Sequence, residues 1–399
     1  MNHSSLEWNQ TTFGRFISIK RGYDLTSQER RAGDIPVYGA AGHNGFHDEV
    51  KAIAPGIVIG RSGGSFGQAH FVSKDFWPHN TAMYVTDFKG NDPDFVYYLL
   101  KILDFSSLNS GSAQPSLNRN FLYPIRISVP KTKEQKSIGR ALKQIDKKIA
   151  LNNKINTELE AMAKLIYDYW FVQFDFPDAN GKPYKSSGGK MVYNEALKRE
   201  IPERWGVGNI MQLTQLLGGG TPKTTMASFW GGSIPFFTPA DASSGVFSLE
   251  TKQNVTTEGL KSCSSKLFKK GTIFVTARGT VGKINIASCD MAMNQSCYAL
   301  QGKEGVGSTF IYFYANELIQ YVKSKASGSI FKALVTNDFK FTELVIPPVE
   351  VIARFSNTVD ANFNKLLLNG LENRELTKLR DWLLPMLMNG QVTVKDTAS

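Results

Sequence analysis

Two segments combine an arginine with a glycine-rich turn directly after an apolar run. They are residues 56–67 (Gly-Ile-Val-Ile-Gly-Arg-Ser-Gly-Gly-Ser-Phe-Gly) and 271–282 (Gly-Thr-Ile-Phe-Val-Thr-Ala-Arg-Gly-Thr-Val-Gly). Each predicts a strand that ends at the arginine, Arg61 or Arg278. Glycines allow close approach of a backbone whose N–H groups can meet phosphate, and a guanidinium can bind phosphate or guanine O6 and N7. The turns could equally be purely conformational.

Amide side chains and further cations extend this binding chemistry. Asn80 in the first half of the chain, and Asn294 and Gln295 in the second half, could pair with adenine N6 and N7, or could simply cap a turn. Lysines and arginines elsewhere are suited to phosphate contacts. The predicted DNA-binding residues are Lys20, Arg21, Arg61, Ser62, Ser65, Asn80, Arg119, Lys223, Arg278, Thr280, Asn294, Gln295, Lys332 and Lys340.

Motifs for catalysis are weak by comparison. The Asn/Asp-Pro-Pro-aromatic motif of amino-methyltransferases is absent from the sequence, and residues 279–283 (Gly-Thr-Val-Gly-Lys) lack the spacing and hydroxyl of a P-loop. Pro93-Asp94 with Glu134 and Lys136 has the residue types of a metal-dependent nuclease, but Glu134 begins a predicted helix. We therefore expect no catalytic residues.

The histidines do not predict a metal site. His43 and His47 are four apart, but Asn44-Gly45 between them disfavours a helix that would align them. The second half of the chain has no histidine, so a site shared by both halves is excluded.

Composition limits the class of protein. The 399 residues fit two to three domains, and 42% hydrophobic residues suffice for folded cores. The three cysteines lack CxxC spacing, and residues 1–10 are too polar for a secretory signal, so a reducing cytoplasm is expected. The net charge of +11 is compatible with nucleic-acid binding, although many basic proteins bind none.

The elements that must position these residues occur twice. Trp8, Phe13 and Gly22 recur as Trp205, Ile210 and Gly219 at a constant offset of 197 residues. Further matches follow in the same order: residues 35–37 with 234–236, the two arginine turns, 79–84 with 293–298, and 110–112 with 327–329. The chain is thus predicted to hold two copies of one domain.

A long helix is predicted after each copy. Apolar residues recur with alternating spacings of three and four, which is the heptad pattern of a coiled coil. Asn152, Asn156, Asn362 and Asn373 fall on or beside these seams, where they could set register or could face water. The predicted seam residues are Ile138, Leu142, Ile145, Ile149, Asn152, Leu159, Ile352, Phe355, Val359 and Leu366, with Met162, Ile166, Phe363, Leu379 and Leu383 continuing the pattern.

Nearly the whole chain resembles the specificity subunits of type I restriction-modification systems. The similar segments are residues 170–195 after the first helix, 201–205 (Ile-Pro-Glu-Arg-Trp), 219–222 (Gly-Gly-Thr-Pro) with 229–241, and 379–390 at the end of the second helix. The first copy departs from the family pattern, with Leu6-Glu7-Trp8 and Gly22-Tyr23 at the corresponding places.

This resemblance implies an α+β fold. Two similar mixed α/β target recognition domains would be joined by two long helices packed as an antiparallel coiled coil, giving a pseudo-two-fold repeat. The implied divisions are residues 1–130 for the first recognition domain, 131–175 for the first helix, 176–205 for a surface connector, 206–347 for the second recognition domain and 348–390 for the second helix.

The resemblance also implies a non-catalytic reader of double-stranded DNA. Each recognition domain would read one half of a bipartite asymmetric site, and the helices would set the spacer. Two methyltransferase subunits and restriction translocase-nuclease subunits would be the partners. S-adenosylmethionine, ATP and Mg²⁺ would be used by those partners, and no cofactor by this chain. A stand-alone DNA-modifying or DNA-cleaving enzyme and a coiled-coil protein-interaction scaffold are the alternatives.

Overall fold

The computed structural model describes residues 8–105, 116–325 and 333–394. The chain divides into two compact units. Unit 1 comprises Met1–Ala150 with Arg374–Ser399, and unit 2 comprises Leu151–Asn373. Both boundaries fall inside long helices, so each unit contains one β-rich domain and part of each helix.

Unit 1 is built on a four-stranded sheet of order β2-β8-β5-β6, beside a three-stranded sheet β4-β3-β7 and the pair β1-β9. The central strand β5 is buried along its whole length, because its apolar run has no polar alternation. The elements are β1 (Trp8–Thr12), α1 (Phe13–Phe16), β2 (Ser18–Arg21), β3 (Ile35–Gly39), β4 (Gly42–His47), β5 (Gly56–Gly60), β6 (Ala69–Val72), β7 (Trp77–Pro78), β8 (Ala82–Asp87), α2 (Pro93–Ile102), α3 (Arg119–Leu122) and β9 (Arg126–Pro130).

The long helix α4 (Thr132–Tyr167) leads from unit 1 to unit 2 and ends in a π-helical turn, Asp168–Val172. Residues 176–205, predicted as a surface connector, follow this turn. They contain a hairpin of β10 (Met191–Asn194) and β11 (Arg199–Pro202). Phe176 and Ile201 of this segment are buried in the core of unit 2, because these two apolar side chains pack with Trp205 beneath the turns.

Unit 2 repeats the architecture with a five-stranded sheet of order β13-β20-β17-β18-β15, a three-stranded sheet β16-β14-β19 and the pair β12-β21. The elements are β12 (Gly206–Gly208), β13 (Thr214–Gly218), β14 (Trp230–Phe237), β15 (Phe247–Ser248), β16 (Asn254–Val255), α5 (Thr257–Lys261), β17 (Ile273–Thr276), β18 (Ile284–Ala287), β19 (Ala292–Met293), β20 (Cys297–Gly302), α6 (Ser308–Lys325), α7 (Thr336–Phe341), β21 (Leu344–Ile346) and α8 (Val349–Met388). The mixed helix and sheet of each copy agree with the predicted fold class.

Within unit 2, α4 and α8 run antiparallel and are joined by buried amides. Asn152 donates to Glu372 Oε2 (2.7 Å) and to Asn373 Oδ1 (2.9 Å). Asn369, which the sequence pattern does not single out, donates to Asn156 Oδ1 (2.8 Å). Asn152 and Asn369 are each only 1% exposed, so the amides face each other and not water. We call this set the amide ladder.

Of the fifteen predicted seam positions, eight are buried, five are partly buried and two are exposed. Ile138, Ile352 and Phe355 are 2% exposed or less. Met162 is 48% and Leu379 44% exposed, so their placement on the buried seam is wrong. The reason at the first of these is that the small Ala163 fills the helix contact instead, which turns Met162 outward.

We expect Asn152→Ala to destabilise the protein by about 1–3 kcal/mol, because two acceptors of the amide ladder lose a buried donor. Urea unfolding followed by circular dichroism would measure this change. Lys154→Ala, at an exposed position two residues along α4, is the control and should shift stability by less than about 0.5 kcal/mol. Equal effects of the two substitutions would show that the ladder contributes nothing.

Candidate nucleic-acid interface

Four predicted DNA-binding residues of unit 1 line one cleft. Lys20 and Arg21 lie at the end of β2, Arg61 follows β5, and Arg119 begins α3. The cleft has a volume of about 560 Å³. One side of the cleft is held by a backbone hydrogen bond, in which the Leu117 N–H donates to the Arg61 carbonyl (2.8 Å). This bond brings the segment before α3 against the end of β5.

The cations of this cleft remain open to a ligand. Among the described residues, the guanidinium groups of Arg61 and Arg119 have no hydrogen-bond or ion-pair partner, and Arg119 is exposed. Arg21 forms an exposed ion pair with Asp24 (3.3 Å), which is weak in water. Lys20 lies over the ring of Tyr23, 5.3 Å from its centroid. Such a group of partly unpaired cations is suited to a phosphate backbone.

Tyr23 forms a wall of the cleft and is itself fixed by Tyr84. Their hydroxyl oxygens are 3.2 Å apart. This hydrogen bond, with a smaller contribution from the charge of Lys20, lowers the pKa of Tyr23, whereas burial raises the pKa of Tyr84. Sequence reasoning missed Tyr23, and also Asp24, because their contacts lie across strands.

In the glycine-rich segment around Arg61, one glycine is required by close packing, and another faces open space. A side chain on Gly60 would place its Cβ 2.0 Å from the Ser65 carbonyl oxygen, so glycine is required there for packing. Gly64, in contrast, has nothing within 4 Å of such an atom. Ser62 forms a β-bridge with Ser116. The tip of the turn is therefore the part that a ligand can approach.

Backbone hydrogen bonds correct the match between the two arginine turns. In unit 2 the Leu334 N–H donates to the carbonyl of Ala277 (2.9 Å), as Leu117 does to Arg61 in unit 1. Ala277 therefore occupies the position of Arg61. Matching Arg278 to Arg61 by residue type is wrong by one position, because the strand register and not the side chain defines the equivalence.

The cleft cations of unit 1 are replaced at the equivalent positions of unit 2. Arg21 pairs with Met83 between β2 and β8, and Gly218 occupies the matching place, paired with Tyr298. The first residue of α7 is Thr336, where α3 begins with Arg119, and its hydroxyl lies 3.2 Å from the Tyr298 hydroxyl. The two copies thus present different chemistry at the same place in the fold.

The remaining predicted residues of unit 2 are more scattered. Arg278 is exposed and, in the described residues, has no side-chain partner. The Thr280 hydroxyl donates to the Pro239 carbonyl (3.1 Å), which holds the turn after Arg278. Lys223 and Lys340 are exposed. Lys332 lies outside the described residues, as do 110–112 and 327–329.

The amides predicted to read adenine are engaged within the protein. Asn80 donates to Asp24 in unit 1, and at the equivalent place in unit 2 the Thr221 hydroxyl donates to Gln295. Each bond ties the loop after β2 or β13 to the residues before β8 or β20. Asn294 accepts from the Ser296 N–H (3.0 Å) as a turn cap. These contacts favour positioning over base contact for all three side chains.

Residues of the weak nuclease-like and histidine patterns make contacts within the protein. Asp94 forms an ion pair with Lys143 (2.7 Å). The buried His47 accepts a hydrogen bond from the Arg31 N–H (3.2 Å). In the described ranges no three His, Cys, Asp or Glu side chains converge as metal ligands. Nor is any described helix long and apolar enough to cross a membrane.

The fold and the clefts together define a class of protein: a repeat of two β-rich binding domains with different surface chemistry, linked by paired helices. A family model described as the type I restriction modification DNA specificity domain matches the chain twice, over residues 6–161 and 202–373. The chain belongs to this family, whose members are specificity subunits and not catalytic ones.

Individual relatives agree with this assignment. The chain is 25% identical over 355 residues to the type I restriction enzyme HindI specificity subunit of Haemophilus influenzae, covering 75% of this chain and 77% of that protein. It is 26% identical over 311 residues to the MjaIX specificity subunit of Methanocaldococcus jannaschii, with 76% and 70% covered. The fold is similar to that of the S subunit of a type I restriction-modification system from M. genitalium (TM-score 0.69, 17% identity, 97% of both chains).

Close backbone packing at the loop after β2 generates a testable prediction. A Cβ on Gly22 would lie 2.3 Å from the His79 carbonyl oxygen. We therefore expect Gly22→Ala to displace the cleft loop and to lower the free energy of unfolding by about 1–3 kcal/mol. The displaced loop should also weaken DNA binding. Gly206→Ala is the control, because its added Cβ would make only ordinary contacts, the nearest at 3.8 Å from Ile346. Equal effects of the two substitutions on unfolding and on DNA binding would show that close packing at Gly22 does not position the cleft loop.

Proposed function

We propose that this chain is the sequence-specific DNA-binding subunit of a type I restriction-modification complex, and that each recognition domain reads one half of a bipartite, asymmetric site. The proposal rests on one observation: the two domains repeat the same fold but have different side chains at equivalent positions. Equivalent positions hold Arg21, Arg61 and Arg119 in unit 1 but Gly218, Ala277 and Thr336 in unit 2. Two readers with different side chains are suited to different half-sites.

The positively charged side chains differ between the two recognition domains, so each domain would bind DNA through different contacts. In unit 1, the clustered guanidinium groups can neutralise phosphates and can fork onto guanine. In unit 2, Arg278 is exposed after β17 and occupies the position that Ser62 has in unit 1. The net charge of +11 supports a contribution of phosphate contacts to both.

Partner docking on the helices completes the proposal. Leu165 on α4 (66% exposed) and Tyr169 in the π-helical turn that follows (37%) form an apolar stripe in unit 2. On α8 in unit 1, Leu379 (44%), which matches Leu165 in the helix repeat, and Trp382 (56%) form a second exposed apolar stripe. Exposed apolar patches of this kind are suited to protein partners. One stripe in each unit fits two methyltransferase subunits, and restriction translocase-nuclease subunits would join the complex for cleavage.

Chemistry in this complex would reside in the partners. The methyltransferase subunits would use S-adenosylmethionine on a flipped adenine, and the translocase-nuclease would use ATP and Mg²⁺. The chain itself would bind none of them. The helices, at 36 and 40 residues, are about 50–60 Å long and would set the unspecified spacer between the half-sites.

We expect Arg119→Ala to weaken binding of the full chain to its DNA site by about 1–3 kcal/mol, because an exposed guanidinium without a protein partner is removed from the cleft. Fluorescence anisotropy between about 50 and 200 mM salt would measure affinity and its salt dependence. A phosphate contact would reduce the salt slope by about one unit, whereas a base contact would relax specificity at one position.

The matched control is Arg204→Ala, which removes an exposed arginine of the connector. It should leave both affinity and slope nearly unchanged. DNA binding that does not depend on salt at all would contradict the proposed function and would favour the protein-interaction scaffold.

A further inference from the structure

One cleft of unit 2 lies on the helices, and none of the DNA-binding candidates lines it. It separates α4 with its π-helical turn from α6 and has a volume of about 620 Å³. Its floor is apolar and aromatic, with Tyr167, Tyr312 and Phe313. The Tyr167 and Phe313 rings stack at 5.2 Å, so the floor is fixed by packing.

Two half-buried carboxylates project from opposite walls of this cleft. Glu317 on α6 accepts a hydrogen bond from the Tyr167 hydroxyl (2.7 Å), and Glu160 on α4 accepts one from Tyr312 (3.3 Å). In the described part of the chain, neither forms an ion pair with lysine or arginine. Burial raises the pKa of both carboxyl groups, and at Glu317 the Tyr167 hydrogen bond and the positive charge of Arg199 offset this rise only in part.

The negative charge of this cleft contrasts with the +11 charge of the chain. Lys164 is the lysine of the lining, and it already pairs with Asp168. Beside the cleft, Met162, Leu165, Tyr169 and Val172 are exposed and follow one another at spacings of three and four residues on α4 and its π-helical turn. An apolar row at these spacings is the surface that an amphipathic helix covers in a coiled coil.

We infer that this surface docks a basic amphipathic helix of the methyltransferase partner, with a lysine or arginine side chain inserted between Glu160 and Glu317. The apolar row would pack against the apolar face of the partner helix. The inserted cation would form ion pairs with both carboxylates. This inference rests on the proposed function, because it names the chemistry of a partner contact within that complex.

The equivalent place in unit 1 lacks these charges. Arg374 stands at the position of Glu160 in the helix repeat, and Ile102 stands at that of Glu317 when α2 and α6 are aligned at their first residues. The apolar stripe is shared by both units, but the acidic cleft is specific to unit 2. The cationic anchor therefore strengthens one of the two docking events and not the other.

The test is assembly of the full chain with the methyltransferase subunit of the same restriction-modification system, followed by sedimentation velocity and mass photometry across a titration. Glu160→Gln with Glu317→Gln keeps the side-chain shapes and the acceptors for both tyrosines. We expect one of the two binding steps to weaken tenfold or more, with a smaller salt dependence, and the other step to be unchanged.

Glu258→Gln on α5, an exposed carboxylate outside the cleft, is the control and should leave both steps unchanged. Unfolding midpoints and DNA binding by each variant establish that the fold is intact. Two unchanged binding steps in the double variant would overturn the inference. Failure of the wild-type chain to bind the methyltransferase subunit at all would instead overturn the proposed function.

Discussion

The pairing of α4 with α8 is the contact on which the rest of the structure depends. Neither β-rich domain has a complete core without it. In unit 1, Leu384, Leu387 and Met388 of α8 pack in the same cluster as Phe13 and Phe95, although they are separated from them by almost the whole chain. In unit 2, Tyr167 and Trp170 at the end of the other helix pack with Phe355. The core of each domain therefore includes side chains from the long helix that follows the other copy in the sequence, or from the turn that ends it.

The amide ladder explains how this pairing can be specific as well as stable. Burying amides costs free energy unless each finds a partner, so Asn152 and Asn369 tolerate few other alignments of the helices. The sequence repeat would otherwise allow each helix to pair with another copy of itself. In the helix repeat Asn373 corresponds to Leu159, so pairing of α4 with a second α4 would replace an amide partner by a leucine. The ladder thus favours the intramolecular pair.

Sequence reasoning predicts the helices and the buried strands well, because heptad spacing and continuous apolar runs are local signals. It fails where a contact joins distant segments. The bond from Asn80 to Asp24 links two loops that are 56 residues apart in the sequence. Nothing local distinguishes an amide that holds a loop from one that contacts a base. The residue type of Arg278 suggests a match to Arg61, whereas the strand register assigns that place to Ala277. Met162 fits the heptad by spacing, but the helix contact at that level is filled by Ala163. The grouping of Lys20, Arg21, Arg61 and Arg119 in one cleft likewise requires the folded sheet.

The central claim is that two domains on one helical frame read two separate half-sites. Exchange of residues 206–347 for those of another specificity subunit leaves both long helices and the first domain in place. Mapping methylated adenines in a host that carries the exchanged subunit with its partners tests this claim most directly. We expect one half of the methylated sequence to change while the other half and the spacer stay the same. A change in both halves, or in neither, would contradict it.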